Sequence, residues 1–533
     1  MSLPFLPVHR SLRWPVAPAL FLVATAIAAQ SGSDPVHELH EPAAVHADQL
    51  ELLALIRSGL YEQAFERAFE LGDELFETRF NVLDGVGANV GDGQRFTRVP
   101  RADLDRRGEW AQHVPSRATG PNAESCNACH LGPFEDGAGP AAANVHRDPL
   151  HLGKASSFIQ RNTPHVFAPG ALQRLAEEMT AELRRIRDEA LAEAASRGRT
   201  VTRELRAKGV RFGALSARPN GSVDTNAVMG VARDLVVRPF QWKGSVASLR
   251  DFNRDAAHNE LGMQGVELVG LRDGDGDGVT DELTVGDLTA LTVYLAAQPR
   301  PTSLLELSRL GLLDEPLSAE QRGRIQRGAA LLRTLGCAEC HVPVLRLDDP
   351  IFREPSAEPG YCDERFPGGQ DPLDLGVDPE YALRFDLTSD QPGSQIAGPG
   401  GERVALGSLR VDAGGRAVVE LFGDLRRHDM GRELAEPIDE VGTGASVFLT
   451  ENLWGVGSTA PYLHDGRATT LTEAILLHGG EARASRAAFE ASPLESRRDL
   501  IAFLDNLVLY KVPESEGLRA SAAIEIVEDE PSE

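Results

Sequence analysis

The sequence contains one short pattern of cysteine and histidine twice. The two copies of Cys-x-x-Cys-His are Cys126-Asn-Ala-Cys129-His130 and Cys337-Ala-Glu-Cys340-His341. In a pattern of this kind the two thiols form covalent bonds to a c-type haem, and the histidine that follows binds its iron. The chain is therefore predicted to carry two covalently bound haems, with His130 and His341 as iron ligands.

Zinc sites and disulfides are the other common uses of closely spaced cysteines. A zinc site needs four converging ligands, and a histidine directly after a cysteine is poorly placed for that geometry. A disulfide within the pattern would leave the following histidine without a role in both copies. The fifth cysteine, Cys362, has no obvious partner once the haems take the other four, so we expect an idle thiol there.

The N-terminal residues have the features of an export signal. A weakly basic start precedes an apolar run from Val16 to Ala29, and Ala26-Ile-Ala28 offers a small-x-small cleavage site. Residues 1–29 are therefore predicted to be a signal peptide of a periplasmic or otherwise exported protein that does not contact the membrane after cleavage. An uncleaved membrane anchor is the alternative, although the run is short for a membrane span.

Length and charge limit the domain organisation and the partners. A chain of 533 residues is too long for one compact core, and a net charge of −26 argues against binding to nucleic acid. We expect an N-terminal extension over residues 30–120, a first haem domain over residues 121–300, a second haem domain over residues 301–512 and an acidic tail over residues 513–533.

Helical patterns predominate around the two motifs, so we predict a mainly α protein with two cytochrome c-like haem domains and long loops. Ser318-Ala-Glu-Gln321 is typical of a capping box and predicts a helix that leads to the second motif. The spacing of apolar residues between Ala171 and Gly209 also predicts an amphipathic helix or hairpin, and we expect it to belong to a helical insertion over residues 171–238. Strand alternation is limited to residues 410–419, and the glycine- and proline-rich residues 348–399 are expected to form loops.

Five segments give the chain a specific resemblance. They are Asn162-Thr-Pro164, Phe240-Gln-Trp242-Lys-Gly244, Asn259-Glu-Leu-Gly262, Leu335-Gly-Cys-Ala-Glu-Cys-His341 and Thr459-Ala-Pro-Tyr-Leu-His-Asp-Gly-Arg467. In this order they resemble the bacterial dihaem cytochrome c peroxidase and MauG superfamily, and most closely its di-haem oxidoreductase family. The resemblance implies an oxidoreductase in which hydrogen peroxide reacts at the N-terminal haem, the C-terminal haem transfers electrons and a redox partner protein exchanges them.

Two residues are candidates for direct roles in that reaction. Trp242 stands where the family has a tryptophan between its haems, and the resemblance implies an electron relay there. Cleavage of the peroxide O–O bond needs a group that accepts a proton and returns it, and a carboxylate can do both. Glu260 lies close to the position of the family's distal glutamate, and His258 is a weaker candidate for the same task. A packed aromatic residue and an exposed glutamate are the ordinary interpretations of Trp242 and Glu260.

The resemblance also implies further axial ligands for the two irons. The superfamily places an axial residue 14 residues after the histidine of its His-Asp-Gly motif, and that position is His478 here. Two histidines would give the second haem a lower potential than a histidine and a methionine. Met430 is the fallback ligand, and His146 and His151 are candidates for a removable ligand at the first haem.

Two segments are candidate calcium sites. The superfamily holds calcium with a side-chain amide and backbone carbonyl oxygens, and Asn162, Thr459 and Pro461 match those positions. A second segment resembles the start of a calcium loop, although Thr284 stands where an EF-hand has its final glutamate. The acidic residues of this run are Asp273, Asp275, Asp277 and Asp281. Calcium binding and a solvated turn are both open for the run.

The sequence thus leaves two classes of function open. The first is a peroxidase-like enzyme, and a MauG-like or oxygenase activity on a protein or an organic substrate is a variant of it. The second is an electron-transfer cytochrome in which both irons carry two axial ligands and no reaction takes place. Glu260 and Trp242 favour the enzyme, whereas two haems with paired histidine ligands would favour the carrier.

Overall fold

A computed structural model describes most of the chain after residue 40. The described residues are 41–86, 122–147, 158–274, 278–389, 392, 395–397 and 403–511. The predicted signal peptide and acidic tail lie outside them, as do much of the predicted N-terminal extension and His151. Within the described residues no helix is both long enough and apolar enough to cross a membrane. The described residues from Ala43 onward form one compact unit.

Helices account for more of the described chain than strands, which agrees with the prediction of a mainly α protein. In chain order they are α1 (Gln49–Arg57), α2 (Tyr61–Glu77), α3 (Pro169–Arg197), α4 (Leu249–Ala256), α5 (Val266–Val269), α6 (Val285–Ala296), α7 (Leu304–Leu310), α8 (Ala319–Thr334), α9 (Leu471–Leu477), α10 (Arg483–Ala491) and α11 (Leu494–Asp505). One π-helical turn, Ala257–Leu261, extends α4. The predicted capping box opens α8, since the Ser318 hydroxyl oxygen accepts from the Gln321 N–H at 3.2 Å and Gln321 Oε1 accepts from the Ser318 N–H at 2.8 Å.

The strands are short and form small antiparallel sheets. These are β1–β2 (Val145–Arg147, Ile159–Arg161), β3–β4–β5 (Val201–Ala207, Val210–Ala217, Val223–Asp224), β6–β16 (Thr302–Ser303, Leu507–Val508), β7–β13–β12 (Leu345–Leu347, Ala417–Val419, Arg410–Val411), β8–β9 (Ile351–Glu354, Leu383–Asp386), β10–β11 (Gln395–Ala397, Arg403–Ala405) and β14–β15 (Arg427–Asp429, Val447–Leu449). Several of them lie in the region predicted as long loops. Strands of two to four residues are too short for alternation to be recognised in the sequence.

The insertion over residues 171–238 is only partly helical, so the prediction of a helical insertion was wrong for its second half. Helix α3 covers the first part, and residues 201–224 form the sheet β3–β4–β5. Strands β3 and β4 are joined by Lys208 and Gly209, which both have positive φ, at 48° and 86°. Two successive residues with positive φ match the right-handed twist of a tight hairpin. Lysine at such a position is unusual, so the turn gave no sequence signal.

Each Cys-x-x-Cys-His motif lies beside its own hydrophobic core. Cys129 packs in a core with α2 and α6, and Cys337 packs against a core built by α8 and α11. Both helix pairs approach closely at a glycine. A Cβ atom would lie 2.2 Å from a backbone oxygen of α6 at Gly72 and 2.0 Å from a backbone oxygen of α11 at Gly328. These glycines therefore set the spacing of the helices that support the two motifs.

Candidate haem sites

The first motif forms one helical turn that ends in a firmly held histidine. The backbone N–H of His130 donates to the carbonyl oxygen of Cys126 at 3.1 Å, and Nδ1 of His130 lies 3.3 Å from the carbonyl oxygen of Gly137. Burial lowers the pKa of His130 and keeps its imidazole in the neutral form that binds metals. Because Nδ1 must carry the proton that Gly137 accepts, Nε2 is the nitrogen that could bind iron.

The second motif forms the same turn. The N–H of His341 donates to the carbonyl oxygen of Cys337 at 2.9 Å, and Nδ1 of His341 donates to the carbonyl oxygen of Phe422 at 3.1 Å. Burial, with a smaller contribution from His478, lowers the pKa of His341 to about 4. None of the five cysteines forms a disulfide. The half-buried Cys362 lies apart from the motifs, and burial raises the pKa of its thiol, as in an unreactive cysteine.

A second histidine faces His341. His478 lies at the C-terminal end of α9, where its Nδ1 donates to the carbonyl oxygen of Ala474 at 2.7 Å. The ring centroids of His341 and His478 are 6.4 Å apart. Metal–imidazole bonds are about 2 Å long and a ring nitrogen lies about 1 Å from its centroid, so one iron between two imidazoles separates the centroids by about 6 Å. The pair fits a haem iron with two axial histidines.

The two facing rings lie in the wall of one cavity that also contains the second motif. Leucine side chains from three helices make much of this wall apolar, and the residues in question are Leu332, Leu471, Leu500 and Leu504. Trp242, Met430 and His464 line the same cavity. Apolar walls that enclose two opposed imidazoles and two thiols are what a covalently bound haem needs. Met430, the fallback ligand, is therefore also near, and ligation by His478 stays a prediction.

Two titratable residues at the second cavity have shifted pKa values. Burial lowers the pKa of His428, but its hydrogen bonds to Asp424 and Cys340, together with the charges of these two groups, outweigh burial and raise the pKa to about 10. The ring nitrogens of His428 lie 2.9 Å from carboxylate oxygens of Asp424 and Glu481. Burial raises the pKa of Glu451 to about 7. The second cavity thus has a cationic imidazole in its wall and a carboxyl group that titrates near neutral pH.

Glu260 lies next to the first motif. It belongs to the π-helical turn after α4, a type of turn that is frequent at functional sites, and it is half-buried. Its Oε2 accepts a hydrogen bond from the side-chain amide of Asn122 at 2.9 Å, and its backbone oxygen accepts from the N–H of Asn122 at 2.8 Å. Asn122 precedes Cys126 by four residues. The structure therefore brings Glu260 to the first motif across a long stretch of sequence.

The other candidate histidines near the first motif have different surroundings. His258 lies on the same π-helical turn as Glu260 and lines a separate polar pocket with Asp255 and Glu440. His146 lies in β1, where its backbone pairs with Gln160. A further ligand of the first iron stays a prediction.

Trp242 lies between the second cavity and the first motif. Its ring lines the cavity, and its indole N–H donates to the carbonyl oxygen of Asn162 at 2.9 Å. The next residue, Thr163, accepts a backbone hydrogen bond from Gly139 at 2.9 Å. A Cβ atom at Gly139 would lie 2.9 Å from the carbonyl oxygen of Cys129, so the two backbones are in close contact. A short path of bonds and contacts thus joins the second cavity to Cys129.

The predicted amide-and-carbonyl calcium site is partly assembled. The side-chain amide of Asn162 lies 2.7 Å from the carbonyl oxygen of Pro461, and the half-buried Thr459 precedes Pro461 by two residues. Oδ1 of Asn162 is buried and has no hydrogen-bond partner among the described residues. If the amide were turned over, Oδ1 and the Pro461 oxygen would face each other, which a shared cation would stabilise. Calcium binding at these residues stays a prediction.

The acidic run gives less support for calcium. Asp275 and Asp277 lie outside the described residues, whereas Asp273 accepts a hydrogen bond from the N–H of Gly278 at 3.1 Å and Asp281 is exposed. Thr284 caps α6, because its hydroxyl oxygen accepts from the N–H of Asp287 at 3.1 Å. Thr284, which stands where an EF-hand has its final glutamate, therefore has a structural role as a helix cap. Calcium binding at the acidic run stays a prediction.

The hydrogen-bond partners of the predicted residues were not predicted from the sequence. The carbonyl oxygens of Gly137, Phe422 and Ala474 fix the three imidazoles, and backbone acceptors carry no residue-type signal. Asn122 belongs to no motif, although its position just before Cys126 could have drawn notice. Buried Tyr294, which belongs to the core of the first motif, was also missed because a tyrosine within an apolar helix is an ordinary core residue.

Two solved structures are weakly similar to the chain. No curated protein matches the chain. A solved structure of Kuenenia stuttgartiensis hydrazine synthase, pressurised with xenon, is 16% identical with a TM-score of 0.30, over 90% of this chain and 97% of that chain. A MauG-like protein associated with microbial copper homeostasis is 16% identical with a TM-score of 0.25, over 54% of this chain and 77% of that chain. Scores this low carry no argument about the fold.

The family match is more informative. The model of the family described as "Di-haem oxidoreductase, putative peroxidase" matches residues 405–507. That segment contains His464 and His478, and it forms one side of the second cavity. Over these residues the chain is similar to that family, which agrees with the predicted resemblance to di-haem oxidoreductases.

Proposed function

We propose that the protein is an exported dihaem oxidoreductase in which hydrogen peroxide reacts at the first haem and the second haem transfers electrons. The family match supports an oxidoreductase of the peroxidase-like class. One observation carries the division of roles. The ring centroids of His341 and His478 are 6.4 Å apart, so both histidines could hold one haem iron, and a haem held in this way would not bind peroxide. We therefore assign the reaction with peroxide to the first motif. Glu260 is hydrogen-bonded there to Asn122, which precedes Cys126 by four residues.

Each haem has a complete set of attachment residues. Cys126 and Cys129 would hold the first haem with His130 as axial ligand, and Cys337 and Cys340 would hold the second with His341 and His478. Bound haem supplies an iron that exchanges single electrons and, where an axial position is open, binds peroxide. Because each histidine donates its Nδ1 proton to a backbone oxygen, the rings are fixed before haem is attached.

Glu260 is the group that we assign to proton transfer. Its carboxylate would accept the proton of the inner peroxide oxygen and return it to the outer oxygen, which then leaves as water. Asn122 donates to one carboxylate oxygen at 2.9 Å and thereby fixes the orientation of the group. A positioned acid–base group of this kind contributes a factor of about 10² to 10⁴ to a rate.

Trp242 and the segment of Asn162 are the proposed connection between the two haems. The indole would relay single electrons between the second cavity and the first motif, and a redox partner protein would exchange them with the second haem. Calcium bound by Asn162, Thr459 and Pro461 would tie the segment next to Cys129 to the segment next to His464. This would keep the acceptor of the Trp242 hydrogen bond in place.

The first test is the response of the purified two-haem protein to hydrogen peroxide. Its visible spectrum is recorded in the oxidised and the one-electron-reduced states before and after peroxide is added. The proposal predicts a rapid change at one haem and oxidation of a reduced small c-type cytochrome supplied as donor. A spectrum that peroxide leaves unchanged in every redox state would instead make the protein an electron-transfer cytochrome.

A further inference from the structure

A buried tyrosine lies close to the axial histidine of the first motif. Tyr294 in α6 is 2% exposed, and its ring centroid is 5.4 Å from that of Phe76. The ring of Phe76 is in turn 5.8 Å from the ring of His130. One aromatic side chain therefore separates the phenol of Tyr294 from the proposed iron ligand.

The phenol of Tyr294 is paired with a buried carboxylate. Its hydroxyl lies 2.8 Å and 3.0 Å from the two oxygens of Asp136, which is fully buried. The backbone of Asp136 has φ of 60°, a conformation that residues other than glycine seldom adopt. The residue after it, Gly137, supplies the carbonyl oxygen that holds His130. The hydroxyl of Tyr294 and Nδ1 of His130 are thus hydrogen-bonded to two successive residues of one short loop, Asp136 and Gly137.

Asp136 is connected to the protein surface. Nζ of Lys511 lies 2.7 Å from Oδ2 of Asp136 and 2.7 Å from a carboxylate oxygen of Glu135. The side chains of Lys511 and Glu135 are 29% and 35% exposed, so both reach solvent. Burial raises the pKa of Tyr294 far above its usual range, which keeps the phenol protonated and hydrogen-bonded to Asp136 at rest. A proton that leaves the phenol has an acceptor in contact and a polar route outward.

Another buried tyrosine shows that burial alone does not create this arrangement. Tyr361 is also 2% exposed, and its hydroxyl bonds to the hydroxyl of Thr180 at 2.8 Å and to the carbonyl oxygen of Val237. A backbone oxygen can accept a hydrogen bond but is a very poor proton base, whereas a carboxylate can take the proton outright. Tyr294 differs from Tyr361 in having both a base and a nearby haem motif.

We propose that Tyr294 is a redox-active tyrosine that donates one electron to the first haem after peroxide has oxidised that haem. The inference rests on the proposed function, since hydrogen peroxide is the oxidant. In this step the phenol O–H bond breaks, the proton forms an O–H bond on Asp136, and the electron reduces the oxidised haem by one equivalent. A neutral phenoxyl radical remains on Tyr294 until a one-electron donor reduces it and Asp136 returns the proton. The protein thereby stores one oxidising equivalent away from the haem.

The test is electron paramagnetic resonance of the full two-haem protein, mixed with hydrogen peroxide and frozen within milliseconds. Protein that contains ring-deuterated tyrosine identifies a tyrosyl signal by its narrowing. We expect such a signal in the unmodified protein and in Tyr361→Phe, and its loss in Tyr294→Phe. The side chain of Asp73 also hydrogen-bonds to the phenol, so the base is removed by Asp136→Asn combined with Asp73→Asn. In this double variant the tyrosine is kept, and we expect the signal to form slower by about tenfold or more.

The visible spectrum of the same samples separates the two possible failures. A haem that responds to peroxide without any tyrosyl signal, or with a signal that survives in Tyr294→Phe, overturns the inference and leaves the proposed function intact. A haem that does not respond overturns the proposed function and the inference with it. If Tyr294→Phe does not fold, an unchanged rate of signal formation in the double variant of Asp136→Asn and Asp73→Asn overturns the inference.

Discussion

The two Cys-x-x-Cys-His motifs share one local structure and differ in their surroundings. In both, the histidine N–H donates to the first cysteine and Nδ1 donates to a backbone oxygen. At the second motif the imidazole of His478 and leucine side chains line a cavity. At the first motif the neighbours are the carboxylate of Glu260 and the phenol–carboxylate pair of Tyr294. The two motifs thus share the turn that presents the histidine, and residues distant in the sequence make their surroundings different.

The buried polar groups near the first motif would be costly without their partners. An unpaired buried hydroxyl or carboxylate destabilises a fold by about 1–3 kcal/mol or more, and each of these groups is instead hydrogen-bonded. Asp136 is fully buried and is stabilised by Tyr294 and Lys511. A purely structural site could have used apolar residues here. The second cavity also has buried polar groups, among them the pair of His428 and Asp424, so the two motifs differ in the kind of polar group beside them.

The largest expected effect is that of Glu260→Gln. The amide keeps the shape and the hydrogen bond to Asn122 but cannot accept a proton, so the rate constant for peroxide should fall by about 10² to 10⁴. Stopped-flow absorbance of the haem measures this rate. Glu124→Gln is the matched control, because Glu124 is also near the first motif but is 58% exposed and pairs with Arg79. Equal rates in the two variants would remove Glu260 from the mechanism.

His478→Met tests the second motif. A thioether ligand raises haem potential, so the second haem should shift upward on the order of 0.1–0.2 V, within the roughly 0.8 V range that axial ligands span. A spectroelectrochemical titration measures both potentials, and the first should stay in place. Met430→Leu is the control and should change neither. A fall in potential in Met430→Leu, with no change in His478→Met, would assign the ligand to Met430.

Trp242→Phe tests the connection between the two regions. Loss of the indole and of its hydrogen bond to Asn162 should slow electron transfer between the haems by about tenfold, or ~1.4 kcal/mol in activation free energy. Rapid reduction of one haem, followed by absorbance, measures this rate. Trp454→Phe is the control, because Trp454 also lines the second cavity but is not bonded to Asn162 in the structure. If the Trp454 variant alone were slow, the relay would have to run through Trp454.

The smallest expected effect is a pH dependence of the second haem. Burial raises the pKa of Glu451 to about 7, so the carboxyl is neutral below that pH and anionic above it. An anion near the iron disfavours the added electron, and the potential should therefore fall as the pH rises through 7. The fall is limited to about 59 mV per pH unit for one proton per electron. Glu451→Gln should remove it, and a pH dependence that persists in this variant would point to another group.

Local features were easier to predict from the sequence than contacts between distant residues. The capping box at Ser318 and the family resemblance depend on local patterns, and the structure contains the helix predicted after Ser318. The hairpin over residues 201–217 escaped prediction because a register shift between Glu204 and Arg206 interrupts the alternation of its first strand and because its turn contains a lysine. The contacts of Glu260 with Asn122 and of Tyr294 with Asp136 each join residues more than 130 positions apart. Such contacts follow from packing, which no local pattern specifies.

The most direct test of the proposed difference between the two haems is electron paramagnetic resonance of the fully oxidised protein with and without cyanide. The account predicts two signals. The haem of the second motif should give the low-spin signal of a haem with two imidazole ligands, which cyanide does not alter, and the haem of the first motif should give a signal that changes when cyanide binds. The His478→Met variant identifies the signal of the second motif, since only that signal should move. If cyanide altered the signal assigned to the second haem and left the other unchanged, the division between a closed and a reactive haem would be contradicted.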